Sequence, residues 1–166
     1  PGIIVFDPTT QTEIYSVLAD VPRAPASVLK LISATAAITA FGPEKVFHTT
    51  ISSTDDPDVF MMQGERDPWL TTSSRDSKKF KRALSTKLIN EAVKNRDGYS
   101  GLKIKFNGMF DADVKNLRTF YGNKIKFERI SKPPVVPGQE PTEIARITSP
   151  TLREILEFTL LWSDNV

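Results

Sequence analysis

The chain has 166 residues, of which 39% are hydrophobic and 25% are charged, and this composition fits one compact domain and excludes wholesale disorder. It contains no cysteine and one histidine, His48. Disulfides and thiol nucleophiles are therefore excluded, and a multi-histidine metal site or a Ser-His-Asp triad is hard to build with a single histidine. The formal net charge is only +2.

The first part of the chain predicts strands around one helix. Residues 2–6, 45–52 and 58–63 have the composition of strands, and residues 11–18 fit either a strand or a helical turn. Residues 27–41 predict a helix that Gly42-Pro43 ends. Lys30 is the only charge in this helix, so we expect it to be buried in the core or by a partner.

The second part predicts three helices and two strands. Residues 73–94 predict one long helix, because apolar residues recur every four positions from Phe80 to Ala92. Strands are expected at residues 102–106 and 124–130, and a short helix at residues 111–120. A final helix is expected after Pro150, which suits a first helical position.

Taken together, these elements predict an α+β fold. We expect a mixed or antiparallel sheet with helices packed on one face, for which a ferredoxin-like βαββαβ order is one layout. Residues 1–132 would form the domain. Residues 133–141, with four of the twelve prolines, would form an extended connector. Residues 142–166 would form an arm whose helix docks on the core or on a neighbouring copy.

Charge is distributed unevenly along the chain. Residues 1–65 sum to −5, residues 66–132 to +10 and residues 133–166 to −3. Such asymmetry bears on partners rather than on fold. We therefore expect one positive face that meets an anionic partner, or else a solvated surface on which the charges are scattered.

A repeated tetrapeptide contributes to this positive charge. Lys-Ile-Lys-Phe occurs at residues 103–106 and again at 124–127. Strand side chains alternate, so each copy would place its lysines on one face and Ile and Phe on the other. If the two strands are neighbours, the lysines form a patch that an anion would stabilise. Lysines that protect edge strands from aggregation are the alternative.

A second basic cluster lies at the predicted start of the long helix. Arg75, Lys78, Lys79, Lys81 and Arg82 fall in its first turns, where the helix dipole disfavours cations by roughly 0.3–1 kcal/mol each. A bound phosphate would remove this conflict. Different helix ends, or screening by salt, would remove it as well.

The leading hypothesis is a non-enzymatic nucleic-acid-binding or nucleic-acid-associated protein. It would contact the phosphates of a nucleic acid that is single-stranded or that is bound without sequence specificity. Tyr99 and Trp69 would offer rings for stacking. The predicted contacts are Arg75, Lys78, Lys79, Lys81, Arg82, Lys103, Lys105, Lys124, Lys126, Tyr99 and Trp69. We also expect a homo-oligomer. A location in the cytoplasm or nucleus, neither secreted nor transmembrane, is expected because the longest apolar stretch, residues 24–41, is shorter and more polar than a spanning helix of roughly 20 apolar residues.

Two alternatives remain at this point. One is a self-assembling structural protein of the viral-matrix type that binds an anionic membrane. The other is a metal-dependent nuclease, because Asp58 and Glu65 resemble part of a Pro-Asp…Glu-x-Lys pattern, although Asp67 stands at the lysine position. The acidic pair Asp111 and Asp113 is expected to favour a helix start. No catalytic residue, metal site or cofactor is predicted.

Overall fold

The computed structural model describes residues 1–94, 98–131 and 141–164. In these ranges the strands are β1 (Ile3–Phe6), β2 (Glu13–Val17), β3 (His48–Ser53), β4 (Val59–Gly64), β5 (Leu70–Thr71), β6 (Ala83–Leu84), β7 (Leu102–Asn107), β8 (Ile125–Arg129) and β9 (Glu143–Thr148). The helices are α1 (Leu29–Phe41), α2 (Ser74–Phe80), α3 (Ser85–Ala92), α4 (Asp111–Tyr121) and α5 (Leu152–Trp162). None of the helices in the described residues is long and apolar enough to cross a membrane.

A mixed five-stranded sheet organises the fold, in the order β8-β7-β4-β3-β9. The pairs β3/β4 and β3/β9 are antiparallel, whereas β4/β7 and β7/β8 are parallel. The predicted α+β class with a mixed sheet is thereby confirmed. The ferredoxin-like layout is not the one adopted, because β1 pairs with β2 in a separate hairpin.

Alternation along the strands builds the main core. Leu102, Ile104 and Phe106 on β7 are almost completely buried, because residues two apart point to the same face of a sheet. They form one cluster with Leu88 of α3 and Leu117 of α4. Two helices therefore cover one face of the sheet.

The prediction of a single long helix over residues 73–94 is wrong, because this region forms two helices, α2 and α3, with the short strand β6 between them. The chain leaves α2 at Lys81, which adopts a left-handed conformation with φ of 55°. Ala83 and Leu84 then pair in parallel with β5, and α3 begins at Ser85, whose hydroxyl donates to the Thr71 carbonyl at 2.9 Å. This pairing with a distant segment overrides the local helical periodicity.

The last described segment belongs to the sheet and to a second core. Strand β9 was not predicted from the sequence; it pairs with the edge of β3. The predicted connector 133–141 lies outside the described residues except for Pro141. Thr151 and Glu154 form a reciprocal capping box that begins α5. Leu152 and Ile155 of this helix are buried in a cluster with Phe47 and Trp69.

Helix α1 is more exposed than its sequence predicts. Among its residues only Ala34 is buried, while Leu31 and Ile32 are 56% and 65% exposed. The expected burial by the chain's own core is therefore wrong, because α1 packs mainly against α5 on one side. The β1–β2 hairpin is likewise exposed on both faces.

Candidate functional site

Three polar side chains meet where the start of α1 approaches the end of α5. Ser27 lies in a short 3₁₀ turn at Ala26–Val28 that leads directly into α1. Lys30 follows three residues later in the first turn of α1, and this spacing places both side chains on one side of the helix. Ser163 follows α5 as its C-terminal cap.

The backbone at both ends of this site adopts a left-handed conformation. Ala26 has φ of 46° and Ser163 has φ of 53°. Non-glycine residues rarely occupy this region, and such positions concentrate at functional sites. Ala26 directly precedes Ser27, and Ser163 is itself one of the two left-handed residues.

The hydroxyl groups and the lysine amine form one hydrogen-bonded cluster. Ser163 Oγ donates to Ser27 Oγ at 2.8 Å. Lys30 Nζ lies 3.5 Å from Ser27 Oγ, 3.3 Å from Ser163 Oγ and 3.1 Å from the Ser163 carbonyl oxygen. Lys30 Nζ is thus within hydrogen-bond reach of three oxygen atoms. The amine therefore contacts both hydroxyls at once.

Helix polarity favours the charges in this cluster. Ser27 is at the positive N-terminal end of α1, where negative charge that develops on an oxygen is stabilised. Lys30 donates to the carbonyl of Ser163 at the negative end of α5, where a cation is stabilised. Ser27 is also exposed, so its hydroxyl is accessible to a ligand.

Two grooves flank the turn at Ser163 and Asp164. One groove of about 930 Å³ runs between α1 and α5 and has Lys30 and Asp164 at one end, with mainly apolar walls that include Ala34 and Leu156. The other, of about 790 Å³, is lined by Ser163 and Asp164 together with Phe80, Arg82 and Trp162 among others. The volumes are large enough for a peptide-sized ligand.

This site was not predicted from the sequence, although two signals for it are present in the chain. Ser27 and Lys30 make a Ser-x-x-Lys, and Ser163, Asp164 and Asn165 make a Ser-Asp-Asn. Enzymes that transfer acyl groups through a serine use these motifs together, with the first serine as the nucleophile. Asn165 lies outside the described residues.

The sheet lysines predicted from the repeated tetrapeptide do converge. Lys103 of β7 lies beside Lys126 of β8, and Lys105 lies beside Glu128. Lys124 belongs to the 3₁₀ turn before β8. Three lysines thus share the open face of the sheet, and their role in binding an anion stays a prediction.

The second basic cluster is arranged differently from its prediction. Helix α2 has seven residues, with Arg75 in its first turn and Lys78 and Lys79 in its last turn. The expected conflict with the helix dipole is therefore wrong for Lys78 and Lys79, because a last turn favours cations. Lys81 is the C-cap, and Arg82 forms an ion pair with Asp164 at 2.6 Å. Helix α2, which carries most of this cluster, contacts β5 and β6.

The two aromatic residues predicted to stack on bases are engaged within the chain. Trp69 is only 2% exposed, with Phe158 at one ring edge and the Arg82 guanidinium over the ring. Stacking by Trp69 is therefore wrong, because no ring face is open. Tyr99 is half-buried, and its hydroxyl donates to Asn90 at 2.8 Å.

Two of the residues in the nuclease-like pattern, Glu65 and Asp67, are an ion-paired carboxylate and a buried carboxyl group. Glu65 pairs with Lys45 at 2.8 Å, and this hydrogen bond lowers the pKa of Glu65. Burial raises the pKa of Asp67 to about 6. Asp111 and Asp113 occupy the first turn of α4, as expected for a helix start.

Part of the chain matches a known protein family. Residues 1–103 match the model of the D-Ala-D-Ala carboxypeptidase 3 (S13) family. Comparison with curated proteins gave no match, and comparison with solved structures gave none either. The family match indicates a peptidase, so the predicted functions are wrong: neither a nucleic-acid-binding protein, nor a viral-matrix-like protein, nor a nuclease fits it.

Proposed function

We propose that this chain, which belongs to the D-Ala-D-Ala carboxypeptidase 3 (S13) family, is a serine peptidase that supplies its own nucleophile. Its substrates would be peptides that end in D-Ala-D-Ala. Ser27 is the nucleophile and Lys30 the base that activates it. Ser163 connects the two. The matched region contains Ser27 and Lys30, whereas Ser163 lies outside it.

The convergence of these two separate signals carries the proposal. The family match rests on residues 1–103, yet the folded chain brings Ser163 from the far end to 2.8 Å from Ser27 Oγ. A nucleophile and its activating groups must lie within hydrogen-bond reach. Ser27, Lys30 and Ser163 meet this requirement at one point.

The reaction begins when Ser27 Oγ attacks the carbonyl carbon between the two D-alanines. Its proton passes to the amine of Lys30, either directly or through the Ser163 hydroxyl, which contacts both groups. The tetrahedral intermediate then expels the terminal D-alanine, whose amine takes up a proton from this cluster. The product is an ester on Ser27.

Water completes the cycle. It attacks the ester carbonyl, and the same lysine and serine accept its proton. Collapse of the second tetrahedral intermediate releases the shortened peptide with a free carboxylate and returns the proton to Ser27. The exposed position of Ser27 leaves room for both the peptide and the attacking water.

Covalent labelling with a fluorescent β-lactam tests this proposal in the full-length protein. A strained β-lactam acylates the nucleophilic serine of a Ser-x-x-Lys site and leaves a stable ester. We expect the wild type to be labelled, Ser27→Ala to be unlabelled, and Lys30→Met to be labelled about 100- to 10,000-fold more slowly.

The control is Ser16→Ala, which removes an exposed hydroxyl from strand β2. It should be labelled like the wild type. Mass spectrometry of the labelled peptide should locate the adduct on Ser27. Labelling of Ser27→Ala at the wild-type rate would exclude Ser27 as the nucleophile.

A further inference from the structure

We infer that Arg82 is a positioning residue for this site, because it holds Asp164 and thereby the turn that presents Ser163 to Ser27. The inference rests on the proposed function. Arg82 Nη2 donates to Asp164 Oδ2 at 2.6 Å, and Asp164 is the residue directly after Ser163. Arg82 acts through Asp164 and is not itself a catalytic residue.

The ion pair is placed where it can hold a fixed geometry. The Arg82 side chain is 21% exposed and that of Asp164 36%, so solvent screens the pair less than a fully exposed one. A charge-assisted hydrogen bond of this length is among the stronger polar contacts in proteins. It therefore restrains the Asp164 carboxylate.

The Arg82 guanidinium packs on the buried ring of Trp69. It lies 4.6 Å from the centroid of the Trp69 ring, and Trp69 is almost fully buried. The Trp69 indole N–H donates to the Phe80 carbonyl at 3.3 Å, and its ring contacts Phe158 of α5 edge-on at 5.1 Å. Arg82 is thus fixed to the same core that packs against α5.

The end of α5 has little apolar packing to hold it. Leu161 and Trp162 are 77% and 69% exposed, and a helix end with little buried surface frays. The polar contacts beyond it run from Lys30 to the Ser163 carbonyl and from Arg82 to Asp164. These two contacts restrain the left-handed turn at Ser163 and Asp164.

The backbone of α2 sets the place of Arg82. Lys81 ends α2 in a left-handed conformation, and Ala83 N donates to the Trp69 carbonyl at 3.2 Å. Arg82 is held between these two points and directed toward Asp164. The break in the helical pattern of residues 73–94 therefore has a consequence at the site.

The test measures acylation of Ser27 by the fluorescent β-lactam in the full-length protein, over a range of probe concentrations. Arg82→Met should lower the maximal acylation rate about ten- to a hundredfold, since a displaced catalytic group costs rate. The half-saturating concentration should change less than about twofold, because ground-state binding is retained. Arg82→Lys should recover part of the rate.

A double-mutant cycle and a matched control complete the design. Asp164→Asn should match Arg82→Met, and the double variant should lose no more than either, because both act through one contact. Arg153→Met removes an arginine of α5 that pairs with Glu44, and it should acylate like the wild type.

The outcomes separate this inference from the proposed function. Acylation of Arg82→Met at the wild-type rate, or a loss explained by its folded fraction in thermal unfolding, would overturn the positioning role. If Arg82→Met does not fold, Arg82→Lys and Asp164→Asn carry the same comparison. Unchanged labelling of Ser27→Ala would instead remove the proposed function.

Discussion

The Ser163 hydroxyl lies 2.8 Å from the Ser27 hydroxyl, although 136 positions separate the two residues. Ser27 precedes α1 and Ser163 follows α5, and these helices pack against each other. The site is thus assembled from two helix ends that only the folded chain brings together. Changes at either end should alter the chemistry of the other.

Replacement of Ser163 by alanine tests its part in proton transfer. Ser163→Ala removes the hydroxyl between Lys30 and Ser27 but leaves Lys30 Nζ at 3.5 Å from Ser27 Oγ. We expect β-lactam acylation to slow about 100-fold, at the low end of the range for removing a proton-transfer group, and less than in Lys30→Met. Stopped-flow fluorescence with the labelled β-lactam measures this rate.

The control for this variant is Thr119→Ala, which removes a hydroxyl that bonds to Lys115 of its own helix. It should acylate at the wild-type rate. An acylation rate of Ser163→Ala equal to that of the wild type would show that the proton passes directly from Ser27 to Lys30.

The buried carboxyl of Asp67 predicts a pH-dependent stability. Burial raises its pKa from 3.8 to about 6, and burial together with the charge of Asp67 raises the pKa of Asp113 to about 6. The folded state then binds a proton more tightly than the unfolded state. Ionised Asp67 therefore destabilises the fold above about pH 6, and this penalty disappears as the pH falls to about 4.

Asp67→Asn should remove that penalty and retain the acceptor for the Trp69 backbone N–H, whose nitrogen lies 2.7 Å from Asp67 Oδ1. Relative to the wild type, we expect its free energy of unfolding to gain about 1–3 kcal/mol on going from pH 4 to pH 8. Urea unfolding at both pH values measures the difference.

Asp7→Asn is the control of opposite sign, because backbone hydrogen bonds from Thr9 and Thr10 lower the pKa of Asp7. A carboxyl with a lowered pKa stabilises the fold when ionised, so this variant should lose stability relative to the wild type as the pH rises. A pH-independent effect of Asp67→Asn would contradict the assigned cause.

The close approach of the backbones at Gly64 and Gly108 predicts a strongly destabilising substitution. Gly108 has φ of +61°, and a Cβ built on it would lie 1.8 Å from the Gly64 carbonyl oxygen. Gly108→Ala should therefore destabilise the fold by more than about 3 kcal/mol, because backbone must move as well as adopt a strained φ. Urea unfolding and the yield of folded protein measure this.

Gly101→Ala is the matched control, since Gly101 also has a positive φ of +77° but nothing within 4 Å of the added Cβ. It should cost only about 1 kcal/mol from the strained conformation. An equal decrease in the free energy of unfolding for the two variants would mean that the close approach to Gly64 is not the cause.

Some features of the fold could be predicted from local sequence because they depend on neighbours along the chain. The repeated Lys-Ile-Lys-Phe predicted strands with buried Ile and Phe, and Ile104 and Phe127 are indeed buried. The single helix for residues 73–94 failed because Ala83 and Leu84 pair with β5. That interaction involves residues beyond any local window.

By itself, the sequence determined the α+β class, the alternation of the strands and the three-residue spacing that places Ser27 and Lys30 together on one side of α1. These depend on backbone periodicity, which is a local property. Only the tertiary structure decided that Ser163 joins them and that Arg82 pairs with Asp164. Those contacts require α1, α2 and α5 to pack, and packing depends on the burial of residues far apart in the chain.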